Sequence, residues 1–217
     1  MRCSTEIRIE DRTNMVPFRA MKKHTHGFIE SDELRDMGFK SVGQNVQVSA
    51  SCEIVGYENV EIGDNVRIDA FCSVIATGFI RIGSYVHVGA NSVLSGRGGI
   101  IMEDFAGLSG GVMLYSASDD YGGDYLTNSM APKEHTNVKV APIRIEGHAV
   151  IGAGSVVLPG VVVGQGAAVG ALSKVDRSLD PWGIYNGNPC RRFGDRKRGL
   201  LERETAVRNS LRVLADM

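Results

Sequence analysis

Aromatic residues are scarce in this chain, 6% with a single tryptophan, so a core built on large rings is not available to it. Six prolines in 217 residues are too few for a polyproline or collagen-like chain. The four cysteines show no close pairing, which argues against a disulfide scaffold and a CxxC-type zinc site and fits a reducing cytoplasm. Neither sign of charge dominates. With 24 basic and 25 acidic residues the net charge is −1, and nothing in it draws the chain toward nucleic acid or membrane. Apolar runs stay far below the roughly 20 residues of a membrane span. The first residues (Arg2, Glu6, Arg8, Glu10) are too polar for a secretory signal. A cytoplasmic protein without membrane insertion is expected.

What is abundant is glycine, 27 residues, together with valine and isoleucine in a pattern too regular for disorder. Aliphatic residues recur at six-residue spacing in groups of three: Val42, Val48 and Ile54; Ile62, Ile68 and Val74; Ile82, Val88 and Leu94. A fourth group reads from Ile101 through Gly107 to Met113. After an interruption come Ile145, Ile151 and Val157, then Val163, Val169 and Val175. Group starts are 20, 20 and 19 residues apart at first and 18 apart at the end. A small or aliphatic residue stands two positions earlier, as at Cys52, Cys72, Ser92 and Ser155, and glycine often follows.

Each hexad therefore reads as one short strand and a corner, and three hexads close one coil of a triangular prism. Alternate residues point inward, and successive coils stack at about 4.8 Å, the ordinary strand spacing. An all-β parallel β-helix is expected, since a sandwich of period-2 strands would not hold period six in register by threes. Residues 1–40 divide into a flexible tail, holding His24 and His26, and a short helix. That helix has Ser31 as N-cap and Gly38 as its stop, and plugs the open end. The prism spans 41–190. Residues 191–217 form a charged C-terminal helix with Leu200, Leu201, Val207, Leu211 and Leu214 as its apolar stripe.

Residues 114–142 interrupt the repeat with a polar loop, and a loop this long in so regular a scaffold points to function. Asp119 and Asp120 open it, placed to orient a base or grip hydroxyls; Ser-Asp-Asp is also ordinary turn chemistry. His87 points outward from its coil beside Tyr85 and Gly89 and is the candidate general base. His135 lies in the loop, and His148 reads as plain surface. Cys52 and Cys72, one coil apart, face inward as small core filler, so no acyl-cysteine intermediate is expected.

The run Ile151-Gly152-Ala153-Gly154-Ser155-Val156-Val157-Leu158-Pro159-Gly160, followed by Trp182-Gly183-Ile184-Tyr185-Asn186-Gly187-Asn188-Pro189-Cys190-Arg191, resembles the hexapeptide-repeat acyltransferases, a group that includes galactoside and maltose acetyltransferases. The resemblance covers roughly residues 28–200. Ser118 to Tyr121, with Leu126-Thr127-Asn128, further resembles surface-polysaccharide sugar acyltransferases. This resemblance implies a left-handed coil, a homotrimer with sites between subunits, and acetyl-CoA or a similar acyl-CoA as cosubstrate with no metal required. It implies transfer to an amine or hydroxyl of a sugar or sugar nucleotide. Ala153 and Ala171 would lie beside pantetheine, and Arg177 and Arg191 at the phosphates. Tyr85, Gly89, Ser118 and Tyr121 would face the acceptor. One departure stands out: Ser118 occupies the place of the family's catalytic histidine, which leaves His87 as base with Asp119 or Asp120 assisting. Two rival readings remain. One is a γ-type carbonic anhydrase, which would need His87, His135 and His148 to converge on zinc. The other is a non-catalytic β-helix binding module.

Overall fold

The computed structural model describes residues 27–215, with side chains through 210. The tail bearing His24 and His26 and the side chains of Leu211 and Leu214 lie outside the described residues. Strands of two to four residues wind into three sheets that form the walls of a prism. Sheet A contains seven parallel strands, one per coil, between two antiparallel edges; sheets B and C hold six parallel strands each. Inward aliphatics such as Ile68, Leu94, Ile100, Ile145 and Ile151 are sealed from solvent. The periodicity thus maps onto a single continuous core.

In the fourth coil the inward residues are Met102, Leu108 and Leu114, each one position later than Ile101, Gly107 and Met113. The ladder pairs Ile82 with Met102, Val88 with Leu108 and Leu94 with Leu114, so the coil length stays at 20. Ile100-Ile101-Met102 is aliphatic throughout, and periodicity alone does not choose among its members.

The corners also depart from the glycine expectation. Nine non-glycine residues among those described adopt positive φ, including Asn45, Asn65, Tyr85, Phe105 and His148 at 53–62°. Each such residue is strained by roughly 1–2 kcal/mol, and stacking up one corner offsets it. The Asn45 amide donates to Asn65 Oδ1 at 2.9 Å. The Tyr85 and Phe105 rings are parallel at 4.7 Å, and Phe105 stacks on His148 at 5.1 Å.

The first coil is closed by β1 (Phe28–Glu30), antiparallel to Val46–Ser49, and by α1 (Ser31–Asp36), whose Leu34 is fully buried. Ser31 is inside this helix rather than its N-cap. Its hydroxyl turns inward to accept the Val46 N–H at 2.8 Å, and Glu30 holds the cap position. At the far end Arg191–Asp195 forms a strand against Gly183–Asn186, so the second helix, α2 (Leu200–Ala215), starts nine residues later than 191. The loop leaves the corner between sheets C and B on a short stalk, Ala117–Ser118 paired with Lys139–Val140.

Candidate acyl-transfer site

On the outer face of sheet A, Arg67, His87, Gly107 and Val150 stand one above another, one per coil. Val86 and Val88 point inward and are buried, which forces His87 outward. His87 lines an open groove of about 620 Å³ with Asn65, Arg67, Asp69, Tyr85 and Val86. Its Nε2 lies 2.8 Å from Asp69 Oδ2, and Arg67 Nε donates to Asp69 Oδ1 at 2.7 Å. Burial alone would push the Asp69 carboxyl up, but the bonds from His87 and Arg67 outweigh it and hold Asp69 below the usual carboxylate range. An ionised carboxylate only accepts, so neutral His87 carries its proton on Nε2 and leaves the Nδ1 lone pair as the basic atom. The Arg67 guanidinium is itself steadied over the Phe28 ring of β1, 4.7 Å from its centroid.

Glycine shapes the space around this pair. A Cβ on Gly89 would lie 2.6 Å from the Gly110 nitrogen, so the corner between sheets A and C packs backbone against backbone. A Cβ on Gly107 would meet nothing closer than His87 O at 4.0 Å. Gly107 therefore keeps open a space above His87 that a side chain could fill without a clash.

Going up the same corner, the amides of Ala90, Gly110, Ala153 and Ala171 bond to no other backbone group among the described residues. Ala153 and Ala171 are exposed, and a Cβ on Gly152 would come within 2.5 Å of the Ala171 nitrogen. Beside them runs an apolar slot of about 270 Å³ walled by Val156, Leu158 and Leu172, with Lys174 at its edge. Leu172 is 77% exposed at positive φ and leans over Gly154. Arg177 and Arg191 are both exposed, and Arg177 Nε is 3.3 Å from Asp176. A row of unused N–H donors beside an apolar slot edged by a lysine suits a long, amide-bearing, phosphate-terminated chain.

The loop residues lie elsewhere. None of Ser118, Asp119, Asp120 or Tyr121 lines the His87 groove, because the stalk leaves a different corner of the prism. Asp120 turns back on its own loop and accepts the N–H groups of Gly122, Asp124 and Tyr125 at 2.8–3.0 Å. Asp119 is exposed, its carboxylate bonded to no other described residue; Ser118 Oγ donates to its backbone carbonyl at 3.4 Å, and Tyr121 is 92% exposed.

No protein-family model matches the chain. It is, however, similar to a dTDP-4-amino-4,6-dideoxy-D-glucose acyltransferase of Escherichia coli, 39% identical over 184 residues that span 84% of this chain and 96% of that one. The chain belongs to the hexapeptide-repeat sugar acyltransferases. Crystal structures of AntD, an N-acyltransferase from Bacillus cereus, are similar at 41% identity. The form with dTDP and 3-hydroxybutyryl-CoA matches with a TM-score of 0.82 over 86% of this chain and 99% of AntD. A serine-to-cysteine form with dTDP-4-amino-4,6-dideoxyglucose and coenzyme A gives 0.83 over 86% and 100%. A maltose O-acetyltransferase from Clostridium difficile shares the left-handed β-helical fold alone, at 22% identity and a TM-score of 0.52.

This acyltransferase holds site residues that single-sequence reading passed over. Arg67 and Asp69 sit one coil below His87 and Gly89, and the 20-residue coil length was the signal that could have found them. His148 is the clearest correction. It is not plain surface, since its side chain is only 10% exposed and Nε2 lies 2.7 Å from Glu204 on α2. His148 and His87 therefore have separate partners, and among the described residues no group of His, Cys, Asp or Glu gathers to hold a metal as a carbonic anhydrase would need. Among the described residues no helix is long and apolar enough to cross a membrane.

Proposed function

We propose that this enzyme N-acylates the amino group of a dTDP-linked amino sugar from an acyl-CoA, in clefts between the subunits of a cytoplasmic homotrimer. The likeness to AntD, crystallised with dTDP-4-amino-4,6-dideoxyglucose and coenzyme A, carries this reading. The sugar nucleotide lies in the groove of Arg67, Asp69, Tyr85 and His87, where Tyr85 faces it. Gly89, buried beneath the Gly110 backbone, is not among the groove's lining residues and shapes the corner instead. Acyl-CoA follows the corner amides, with Ala153 and Ala171 beside pantetheine and Arg177 and Arg191 at the phosphates. The neutral amine attacks the thioester carbonyl, and a C–N bond forms as the C–S bond breaks. His87 Nδ1 takes the amine proton while Asp69 steadies the resulting imidazolium, which returns that proton to the departing thiolate so that coenzyme A leaves as the thiol. The unused N–H groups of Ala90 and Gly110 at this corner are the candidates for the oxyanion.

The loop enters from a neighbouring subunit. Asp119 and the groove occupy different corners of one prism, so a site containing both needs a second copy. AntD supplies a reason to include both. Its crystallised variants replace a serine and, ten residues later, an aspartate. Ser109 and Asp119 are this chain's only serine and aspartate in that order and spacing. Ser109 adjoins Gly110 at the corner, and it would meet the acceptor or thioester while Asp119 meets the incoming amine. Ser118, Asp120 and Tyr121 shape the loop that presents Asp119.

The deciding experiment is thiol release from acetyl-CoA and 3-hydroxybutyryl-CoA in the presence of dTDP-4-amino-4,6-dideoxyglucose, with molar mass by light scattering. Turnover by a trimer is expected. A folded protein releasing no thiol with any dTDP-amino sugar overturns the proposal, and a catalytically active monomer overturns its shared site.

A further inference from the structure

Behind the groove, on the inward side of the same corner, runs a column of small polar side chains. Cys52 Sγ donates to the carbonyl of Asp69 at 3.1 Å, and Cys72 Sγ to that of Gly89 at 3.3 Å. Ser92 Oγ lies 2.7 Å from Gly89 O and 3.3 Å from Ser109 O. Each of these side chains reaches one coil up to the carbonyl that opens the next turn, those of Asp69, Gly89 and Ser109, and Ser92 also bonds within its own coil to Gly89. In the next coil Val112 takes the inward position and the donors stop, to resume at Ser155.

Ser92 is the member on which the corner depends most. It is wholly buried, and no other hydrogen bond among the described residues reaches Ser109 O. A hydroxyl has one proton, so the short bond to Gly89 is the strong one and the longer contact competes for it. Gly89 O keeps Cys72 as a second donor, so the carbonyl left without one when Ser92 is removed is that of Ser109, and an orphaned carbonyl is destabilising. Gly89 cannot relax alone, because its Cα faces the Gly110 nitrogen at a distance that admits no side chain. Any shift of Gly89 is carried into the Ser109–Gly110 backbone.

We infer that Ser92 is a positioning residue for acyl transfer, fixing the Gly89 and Ser109 backbone at which acceptor and thioester meet. This inference rests on the function proposed above. The fold contains its own conservative replacement, since Cys72 performs the same donation one coil below. Its thiol is held protonated, pushed up by its bond with Cys52 and then by burial.

The test compares Ser92→Ala and Ser92→Cys with the parent trimer, reading steady-state kinetics and amide hydrogen exchange. Ser92→Ala should lower kcat/KM for the dTDP-amino sugar roughly tenfold, the scale of one lost buried hydrogen bond. KM for acyl-CoA should stay unchanged, because the Ala153 and Ala171 amides lie beyond the affected turns. Exchange should accelerate at Asn91 and Gly111, whose N–H groups bond to Ala70 and Ala90 across this corner, and not elsewhere in the prism. Ser92→Cys should recover most of both. Parental kinetics and exchange in Ser92→Ala would overturn the inference, as would uniform acceleration throughout the prism without rescue by cysteine. A parent with no turnover overturns the function instead, and the local exchange pattern in Ser92→Ala then still decides whether the hydroxyl fixes this backbone.

Discussion

His148 and Glu204 lie 56 residues apart in the chain, yet Nε2 and Oε2 are 2.7 Å apart across the gap between the prism and α2. Arg208, one turn along the helix, bonds to Glu204 at 2.7 Å and reaches Asp104 at 3.2 Å. The Arg208 bond, and then His148, hold the Glu204 carboxyl below the ordinary range against the upward push of burial. A depressed carboxylate contributes stability above its unfolded value and loses it as pH falls through the folded one. Attachment of α2 should therefore weaken below about pH 4. Glu204→Gln should unfold a few degrees earlier than the parent at neutral pH, and the two melting curves should converge in acid.

Asp69→Asn removes the negative charge and turns one of the two acceptor oxygens that fix the His87 tautomer into a donor, while leaving the core untouched. Turnover should fall at least tenfold, and His87→Ala should fall by about a hundredfold, the range of a lost general base. Circular dichroism melts of both variants should overlay the parent's. Full turnover in His87→Ala would remove the imidazole from the chemistry.

Gly107→Leu probes the vacancy above His87. A Cβ there meets no atom closer than 4.0 Å, so the variant should fold and melt like the parent. Its side chain should occupy the acceptor's space, raising KM for the sugar nucleotide while coenzyme A affinity, measured by calorimetry, stays constant.

Mixed trimers test whether two chains build each site. His87→Ala and Asp119→Asn should each be impaired as pure trimers. Co-assembled at equal amounts, about a quarter of the sites receive both native residues from adjacent subunits. Activity should reappear on mixing by co-expression; none would be gained if each chain built its own site.

The hexad rhythm was readable because an inward position tolerates only aliphatic or small residues, and Ile62, Ile68 and Val74 announce it plainly. It slipped at Ile101 because three aliphatics in a row satisfy the pattern equally, and the ladder pairing of Ile82 with Met102 alone decides. His87 was legible as an outward imidazole. Its partner Asp69 was not, since a hydrogen bond between coils follows from stacking and not from sequence neighbourhood. His148 was unreadable for a stronger reason: the residue that buries it arrives with α2, after the prism is complete. Asp120 illustrates the opposite difficulty, because Ser-Asp-Asp carries no sign of which carboxylate turns inward to its own loop and which stays outside.

Along each wall, the residues that hold the prism together alternate with those that face outward. Val86 and Val88 belong to the interior and His87 to the groove, with one backbone serving both. The two sets of positions therefore answer to separate demands. An exchange at Arg67, His87 or Gly107 alters what the groove accepts without opening a cavity, whereas one at Ile68 or Val88 does the reverse. A scaffold of this kind can acquire a new acceptor one outward residue at a time, remaining folded at every intermediate step.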